Sequence, residues 1–308
     1  MLAIIATLCE KLENAMATFD ADNDPLGNPE ALERHIRKAL EVQAPDDLEF
    51  EITYNIVKRF FKPRVLNAER LPDKPCLFIG NHSLFAVDGI VLLPVMQRDY
   101  GRFLRPLGDK FLFASDRTAK YIMSRGGTMG HPDVCHALME NGQDMLVFPG
   151  GAHEAVKSAS EMYKLQWKER YGFIKLAAAH GYTIMPFGMV GPDEFYSHLI
   201  EGQDLPDSRV GWLLKRLGLL DENTRSDLMP PIPRGALGTL LPKPQACYIG
   251  FGEPVDLSAY EGKKLTKVQL KKLRGEVAQE IEEQLAELLL IREQNRKNDG
   301  LLRRILSI

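Results

Sequence analysis

The chain has 308 residues, of which 44% are hydrophobic and 26% charged, and its formal net charge is −3 at pH 7. This composition is typical of one large or two modest globular domains and excludes long disordered regions. The small negative charge argues against nucleic acid as a partner. The uninterrupted apolar runs are shorter than the roughly 20 residues of a membrane-spanning helix.

The four cysteines, Cys9, Cys76, Cys135 and Cys247, are widely separated and form no CxxC pair. This spacing predicts neither a disulfide framework nor a zinc site, and it favours a reducing compartment. The apolar segment 1–9 lacks a basic start and a small-residue cleavage site. We therefore predict no signal peptide and expect a cytoplasmic protein.

Residues 1–50 are acidic, with four Lys or Arg against eleven Asp or Glu. One helix is predicted there, because Asn28 can cap it and Pro29 suits its first turn. We interpret residues 1–50 as an acidic helical N-terminal extension that packs on the core. The apolar residues at helical spacing in this extension are Leu32, Ile36 and Leu40.

Residues 51–260 are predicted to form an α/β domain. Short apolar runs, most of which end at Gly or Pro, alternate with helical patterns. This alternation predicts a mixed, largely parallel sheet flanked by helices. The predicted strands are Cys76–Ile79, Met145–Phe148, Thr183–Val190 and Cys247–Phe251, and the predicted helices are Asp88–Gln97, Pro132–Asn141 and Gln166–His180.

Two segments differ from this pattern. Residues 200–245 contain Gly- and Pro-rich turns and an amphipathic piece, and we interpret them as an insertion or cover over the sheet. Residues 261–308 are predicted to form a C-terminal helix and a basic tail, with Thr266 and Gln269 as a capping box. The apolar stripe of that helix consists of Leu270, Leu273, Val277, Ile281, Leu285 and Leu288.

The stretch Gly80–Gly89 carries the first candidate site. His82 follows the end of a predicted strand, and Asp88 comes six residues later, where the next helix is predicted to start. Loops at the carboxyl ends of strands bind ligands in open α/β sheets, and a His there can act as a general base. A carboxylate at a helix N-terminus stays ionised and can orient one imidazole nitrogen. A capping Asp beside a structural His explains this spacing about as well.

The stretch Val147–Glu154 carries the second candidate site, at the point where another predicted strand runs into a Gly-rich turn. Gly150 and Gly151 have no side chains, so main-chain N–H groups can approach an oxyanion or a phosphate closely. A Gly-Gly pair taken alone is more often an ordinary turn. The second stretch therefore indicates a functional site only in combination with the first.

Together the two stretches resemble the glycerolipid acyltransferase superfamily of the 1-acylglycerol-3-phosphate type. They are most similar to its branch of monoacylglycerol- and diacylglycerol-acyltransferase-like proteins. The resemblance covers about residues 75–256. The matching motifs are Gly80-Asn81-His82-Ser83 with Asp88, Phe148-Pro149-Gly150-Gly151 with Glu154, Gly126-Gly127-Thr128, Arg170-Tyr171-Gly172-Phe173 and Phe251-Gly252-Glu253-Pro254.

The resemblance implies an acyl-CoA-dependent O-acyltransferase, with acyl-CoA as co-substrate and no metal or further cofactor. His82 would take the proton of the acceptor hydroxyl, Asp88 would hold the tautomer of His82, and the alkoxide would attack the thioester directly. Ser83 is poorly placed for a Ser–His nucleophile, and the chain has no GxSxG elbow. The residues expected to bind substrate are Asn81, Ser83, Arg125, Gly150, Gly151, His153 and Glu154.

Two departures from the phosphate-handling relatives favour a neutral acceptor. Those relatives have four residues between His and Asp, whereas five separate them here. Their Phe-Pro-Glu-Gly-Thr-Arg block has Gly150 here in place of Glu and His153 in place of Arg, so a bidentate Arg for phosphate is missing. Arg125 could still meet an anion. A lysophospholipid or another phosphorylated glycerolipid therefore remains an alternative to a neutral glycerolipid or long-chain alcohol.

Three segments mix basic and apolar residues in the manner of membrane-surface helices: 56–65, 212–220 and 301–306. We expect at least one of them to contact a membrane peripherally, because the inferred acceptor is a lipid. A lipid esterase or thioesterase, in which water replaces the alcohol, is the rival enzymatic interpretation. A non-enzymatic lipid-binding protein is disfavoured, because binding alone needs no oriented base.

Overall fold

The computed structural model describes residues 28–113, 116–216, 229–295 and 306. Most of the acidic extension therefore lies outside the described residues. The same holds for the end of the 212–220 segment and for nearly all of the basic tail.

A mixed sheet forms the centre of the described structure. Its strands and those of a separate pair are β1 (Arg64–Leu66), β2 (Cys76–Gly80), β3 (Arg105–Gly108), β4 (Thr128–Met129), β5 (Met145–Val147), β6 (Thr183–Val190), β7 (Ser197–Ile200), β8 (Ile232–Arg234), β9 (Tyr248–Phe251) and β10 (Val255–Asp256). The sheet order is β1-β9-β6-β2-β5-β3-β4, and β10 also pairs with β6. Only the pairs of β6 with β9 and β10 are antiparallel in this sheet, which confirms the predicted mixed, largely parallel arrangement.

All four predicted strands belong to this sheet. Thr183–Val190 has the predicted bounds, and each of the other three differs by one residue at one end. The sequence did not predict β1, β3 and β4, which contain only two to four residues. Such short segments are too brief for an alternating pattern to emerge.

Helices cover both faces of the sheet. Within the described ranges they are α1 (Pro29–Glu41), α2 (Leu48–Ile56), α3 (Val87–Tyr100), α4 (Asp116–Ser124), α5 (Pro132–Glu140), α6 (Ala152–Ala155), α7 (Gly172–Ala179), α8 (Arg209–Arg216) and α9 (Lys267–Asn295). No helix in the described part of the chain is long and apolar enough to cross a bilayer.

The predicted helix Gln166–His180 is wrong in its first half, because α7 includes only its second half. Trp167 is buried with 1% exposure, and Lys168 adopts a left-handed φ of 49°. The N–H of Gln166 donates to the carboxylate of Glu154 at 2.7 Å. Contacts with the rest of the protein therefore override the helical spacing of this segment.

The buried strands alternate their side chains between two cores, as the two-residue period of a strand requires. Leu77 and Ile79 of β2 face a core shared with α5, α7 and α9. Cys76 and Phe78 face a second core, shared with α3 and the π-helical turn at 57–61. The position of His82, just beyond β2, is therefore fixed by packing on both sides of the strand.

The long helix α9 completes the first core. Its predicted capping box is confirmed, because the N–H of Thr266 donates to Oε1 of Gln269 at 2.9 Å and the N–H of Gln269 donates to Oγ1 of Thr266 at 3.3 Å. All six residues of its predicted apolar stripe are buried, and the helix packs on β6 and β9.

The acidic extension contributes α1 to the same core. Oδ1 of Asn28 accepts the N–H of Glu30 at 2.9 Å, which confirms the predicted cap. α1 packs on α5, and the buried guanidinium of Arg105 donates to the carbonyl of Ala39 at 2.8 Å. The division of the chain into an extension, a central domain and a C-terminal segment stays a prediction.

Candidate active site

His82 lies just beyond β2, where the parallel strands β2 and β5 have their carboxyl ends. Its Nδ1 is 2.8 Å from Oδ2 of Asp88, and the two residues are 9% and 1% exposed. The carboxylate of Asp88 also accepts the N–H of Ser83 and, through Oδ1, the N–H of Gly89 at 2.6 Å. Because an ionised carboxylate only accepts hydrogen bonds, this contact favours the tautomer with the proton on Nδ1, in which Nε2 has the lone pair.

The loop between His82 and Asp88 is strained. Phe85 and Ala86 both have a φ of 56°, in the left-handed region that favours glycine. Oγ of Ser83 accepts the N–H of Asp88 at 3.0 Å, so this hydroxyl serves the start of α3. That bond and the position of Ser83 beside His82 leave it unsuited to act as a nucleophile.

The imidazole of His82 stacks on the ring of Phe148, which follows β5. The ring centroids are 4.1 Å apart and the ring planes differ by 9°. Because Asp88 fixes one ring nitrogen and Phe148 fixes the ring plane, the imidazole has one defined orientation.

Glu154 is fully buried and joins two segments of the site. Its Oε2 accepts the N–H of His82 at 2.9 Å, and its Oε1 accepts the N–H of Gln166 at 2.7 Å. Burial raises the pKa of this carboxyl, and the two main-chain donors partly oppose the rise. Glu154 therefore holds the His82 segment from within the protein.

The Gly150-Gly151 turn makes room for that carboxylate. A Cβ on Gly150 would lie 2.0 Å from Cδ of Glu154, so no side chain fits there. Gly151 has a φ of 52°, and its N–H donates to the carbonyl of Phe148 at 3.0 Å. The N–H of Gly151 is thus used within the turn, which leaves the N–H of Gly150 as the candidate donor to an oxyanion.

Arg170 binds the same turn from another segment. Its Nη1 donates to the carbonyls of Pro149 and Gly150, both at 2.7 Å, and its Nη2 lies 3.4 Å from Nδ1 of His153. A cation on the Pro149 carbonyl polarises the peptide whose N–H belongs to Gly150. Arg170 therefore strengthens the candidate oxyanion donor.

Asn81 connects the His82 loop to the neighbouring strand β6. Its Nδ2 donates to the carbonyl of Met189 at 3.0 Å, and its Oδ1 accepts the N–H of the same residue at 2.8 Å. Both ends of the side chain are engaged by the main chain of one residue, Met189, so Asn81 fixes the separation of the two strands at the site.

Arg125 is not brought to this site. Its guanidinium contacts the carboxylates of Asp47 at 3.0 Å and Glu49 at 2.8 Å. The carbonyl of the residue after Arg125 accepts a bond from Arg105 at the start of β3, whereas His82 follows the end of β2. Arg105 and Leu77 both pair with Met145 of β5, so they lie at the same height in the sheet. His82 lies about five residues further on, or roughly 16 Å along the strand direction.

Sequence reasoning missed two charged residues of the site. Nζ of Lys157 donates to the carbonyl of His82 at 2.7 Å and lies 2.8 Å from Oδ2 of Asp193. No local pattern marks either residue, because Lys157 lies in an irregular segment, Asp193 lies in a short 3-10 helical turn, and their contacts span 30 to 109 positions. Their significance becomes visible only when the fold brings these segments together.

The described cysteines are core residues. Burial raises the pKa of Cys76 to about 11 and that of Cys135 to about 12, so both stay thiols near neutral pH. Within the described residues, no group of three or more His, Cys, Asp or Glu side chains could hold a metal ion.

Comparison with known proteins assigns the chain to a family of acyltransferases. The sequence model of the family described as diacylglycerol acyltransferase matches residues 74–288, which is more than half of the chain. The chain belongs to the diacylglycerol acyltransferase family. This finding confirms the predicted resemblance.

Several known proteins are similar to the chain. The chloroplastic phytyl ester synthase 1 of Arabidopsis thaliana is 28% identical over 73% of this chain and 34% of its own length. A bovine protein named DGAT1/2-independent enzyme synthesizing storage lipids is 26% identical over 38% of this chain and 35% of its own length. The chain spans about a third of the length of the plant relatives that it matches.

One solved structure is also similar, that of the 1-acyl-sn-glycerophosphate acyltransferase PlsC from Thermotoga maritima. The two chains are 17% identical, with a TM-score of 0.44, and the match covers 83% of this chain and 87% of PlsC.

We expect Gly150→Ala to lower acyl transfer by about tenfold or more, because the new Cβ would displace Glu154 and with it the main chain of His82. Gly275→Ala on α9 is the matched control, because a Cβ there meets nothing within 4 Å. Steady-state kinetics of both variants, with circular dichroism to establish folding, make the comparison. Wild-type kinetics in Gly150→Ala would show that catalysis does not need this turn geometry.

Proposed function

We propose that the chain transfers a fatty acyl group from acyl-CoA to the hydroxyl of a neutral glycerolipid or a long-chain alcohol. The observation that carries this proposal is the 2.8 Å contact between Nδ1 of His82 and Oδ2 of Asp88 at the end of β2. Family membership supports acyl transfer. The His–Asp pair supplies the oriented base that activation of a hydroxyl requires.

In the proposed reaction, Nε2 of His82 removes the proton of the acceptor hydroxyl while the hydroxyl oxygen attacks the thioester carbonyl. Asp88 holds Nδ1–H and stabilises the imidazolium that forms. The tetrahedral intermediate then collapses, the C–S bond breaks, and His82 returns the proton to the leaving CoA thiolate. The products are the new ester and free CoA, and no acyl-enzyme, metal or further cofactor takes part.

The negative charge of the tetrahedral intermediate is proposed to face the N–H of Gly150. Nη1 of Arg170 binds the carbonyl of Pro149 at 2.7 Å, so the dipole of the Pro149–Gly150 peptide is polarised before substrate arrives. A preorganised donor of this kind is typically worth roughly 10²–10³ in turnover.

We expect His82→Ala to lower turnover by about 10²–10⁴-fold, the usual range for loss of a general base. Asp88→Asn should lower turnover strongly but less completely, because it removes tautomer control and leaves the base in place. The measurement is release of CoA by purified variants, with thermal melts to establish folding. Wild-type turnover by His82→Ala, in protein free of host acyltransferases, would contradict the mechanism.

An uncharged acceptor suits the charges around this site. His153 stands where phosphate-handling relatives have Arg, and Arg170 beside it directs Nη1 to two main-chain carbonyls. Arg125 is paired with carboxylates at the other edge of the sheet. A buried phosphomonoester would need cationic partners for its charge. Relatives named phytyl ester synthase support a long-chain alcohol as acceptor.

We expect diacylglycerol, monoacylglycerol or a fatty alcohol to be acylated in preference to glycerol 3-phosphate or lysophosphatidic acid. The measurement is a competition between equal amounts of both acceptor classes for one labelled acyl-CoA. Arg125→Ala should leave the preference unchanged, because this residue lies away from His82. A preference for the phosphorylated acceptors that disappears in Arg125→Ala would contradict both the acceptor class and this placement.

The chain is further proposed to be a cytoplasmic protein that binds a membrane peripherally through one face of α2. Leu48, Ile52 and Ile56 recur at helical spacing on this face and are 76%, 50% and 39% exposed. Ile52 and Ile56 line a groove of about 460 Å³ together with Arg59 and Phe60. An apolar helix face with basic residues at its edge is suited to anionic lipid.

Charge pairing around α2 supports this surface. Its acidic side chains are already neutralised, because Glu49 pairs with Arg125 and Glu51 with Arg98. Basic side chains remain exposed in the segment that follows. Part of the segment 56–65 is unavailable to lipid, because it packs in the core. The exposed basic residues are Lys58, which pairs with Asp99, and Arg59, Lys62 and Arg64. The buried apolar residues are Val57 and Phe61.

We expect Ile52→Glu to weaken binding to vesicles rich in anionic lipid by about tenfold or more, because burying one isoleucine is worth roughly 1.5–3 kcal/mol. Leu290→Glu on α9 is the matched control, since Leu290 is 61% exposed and undergoes the same apolar-to-acidic change. Co-sedimentation with vesicles measures both variants. Equal binding by Ile52→Glu and wild type would show that α2 is not the membrane face.

A further inference from the structure

Lys157 is a buried cation in contact with the main chain of His82. Its Nζ donates to the carbonyl of His82 at 2.7 Å, and it lies 2.8 Å from Oδ2 of Asp193. The side chains of Lys157 and Asp193 are each 1% exposed. We propose that Lys157 is a positioning residue for His82, whose ammonium, anchored by Asp193, fixes the peptide from which the imidazole projects. This inference rests on the proposed role of His82 as the base.

The same ion pair holds the loop at a second point. Oδ1 of Asp193 accepts the N–H of Leu84 at 3.3 Å, and Oδ2 accepts the N–H of Tyr163 at 3.0 Å. Hydrogen bonds to ionised groups are roughly twice as strong as those between neutral groups. Together with Glu154 on the N–H of His82 and Asp88 on the N–H of Ser83, four buried ionisable side chains therefore hold the main chain of residues 82–84.

The loop needs this support because it is strained. Phe85 and Ala86, with a φ of 56° each, follow directly after the held residues. Non-glycine residues are strained in this region and persist only where the surroundings enforce them. Without the bond from Lys157, the loop would relax and carry the imidazole away from Asp88. A misplacement of about 1 Å at a reacting group costs roughly 10²-fold in rate.

Stability is a weak explanation for this ion pair. Transfer of two charges into the interior carries a large desolvation penalty, and well-packed apolar replacements are often equally stable. Lys157 is 3% exposed, so it is buried beneath the loop and does not contact bulk solvent. Its removal is therefore expected to change the chemical step more than substrate binding.

The test uses the whole chain. Lys157→Met removes the ammonium, and the double variant Lys157→Met with Asp193→Asn removes both charges, so that no buried carboxylate is left unpaired. Lys164→Met, at an exposed lysine of the same segment, is the matched control. Steady-state kinetics separate kcat from KM. Proton NMR of protein with isotope-labelled histidine follows Nδ1–H of His82, which is assigned by its loss in His82→Gln.

We expect the double variant to melt as a folded protein, with kcat lowered by about 10–100-fold and KM within about twofold of wild type. The Nδ1–H signal should broaden or vanish in the double variant and stay unchanged in Lys164→Met. A wild-type kcat together with an unchanged Nδ1–H signal in the double variant would overturn the inference. Failure of both Lys157 variants to fold would also overturn it, because Lys157 would then support the whole structure.

The two proposals can fail separately. If His82→Gln keeps wild-type turnover, the proposed base is wrong, whereas the Nδ1–H signal in the Lys157 variants still reports the contact with His82. If His82→Gln is inactive and the double variant has wild-type kcat and signal, the proposed function stands and the positioning role is wrong.

Discussion

The candidate site depends on the two hydrogen bonds that the carboxylate of Glu154 accepts. The carboxylate binds the N–H of His82 with one oxygen and the N–H of Gln166 with the other, in a position that solvent does not reach. A side chain on Gly150 would occupy the space that the carboxylate fills. The glutamate of the phosphate-handling block, at the position of Gly150, and the Glu154 of this chain therefore exclude one another.

The order of the sheet explains why two distant sequence motifs form one site. β2 and β5 are parallel neighbours, so the turns that follow them meet at the same edge. β6 lies on the other side of β2 and supplies two further contacts. The main chain of Met189 binds Asn81, and Asp193, just after β6, binds the N–H of Leu84. β2, which leads to His82, is thus held by both of its neighbouring strands.

Much of the fold could be predicted from the sequence because its core strands are apolar runs with clear ends. The capped helices α1 and α9 were equally predictable, since Asn28 and the Thr266–Gln269 capping box are local sequence signals. The failure at Gln166–His180 has the opposite cause. Trp167 is buried and Lys168 adopts a left-handed φ of 49°, and no local pattern records these constraints from the rest of the fold.

The site was predictable to a similar extent and with the same limit. His82 and Asp88 share one short motif, so their pairing follows from local spacing. Arg125 could bind an anion, but it lies near the start of β3, far along the strand direction from His82. Lys157 and Asp193 are separated by 36 positions and meet only in the folded chain.

The place of β9 in the sheet has a consequence for synthesis of the protein. β9 lies between β1 and β6, and α9 covers β6 and β9 from one face. The sheet therefore stays incomplete until residues 248–295 have been synthesised. Until then the apolar strands near His82 present open edges, a state that invites aggregation. Chains that stop before β9 are accordingly expected to expose the edge of β6 and to accumulate as insoluble material.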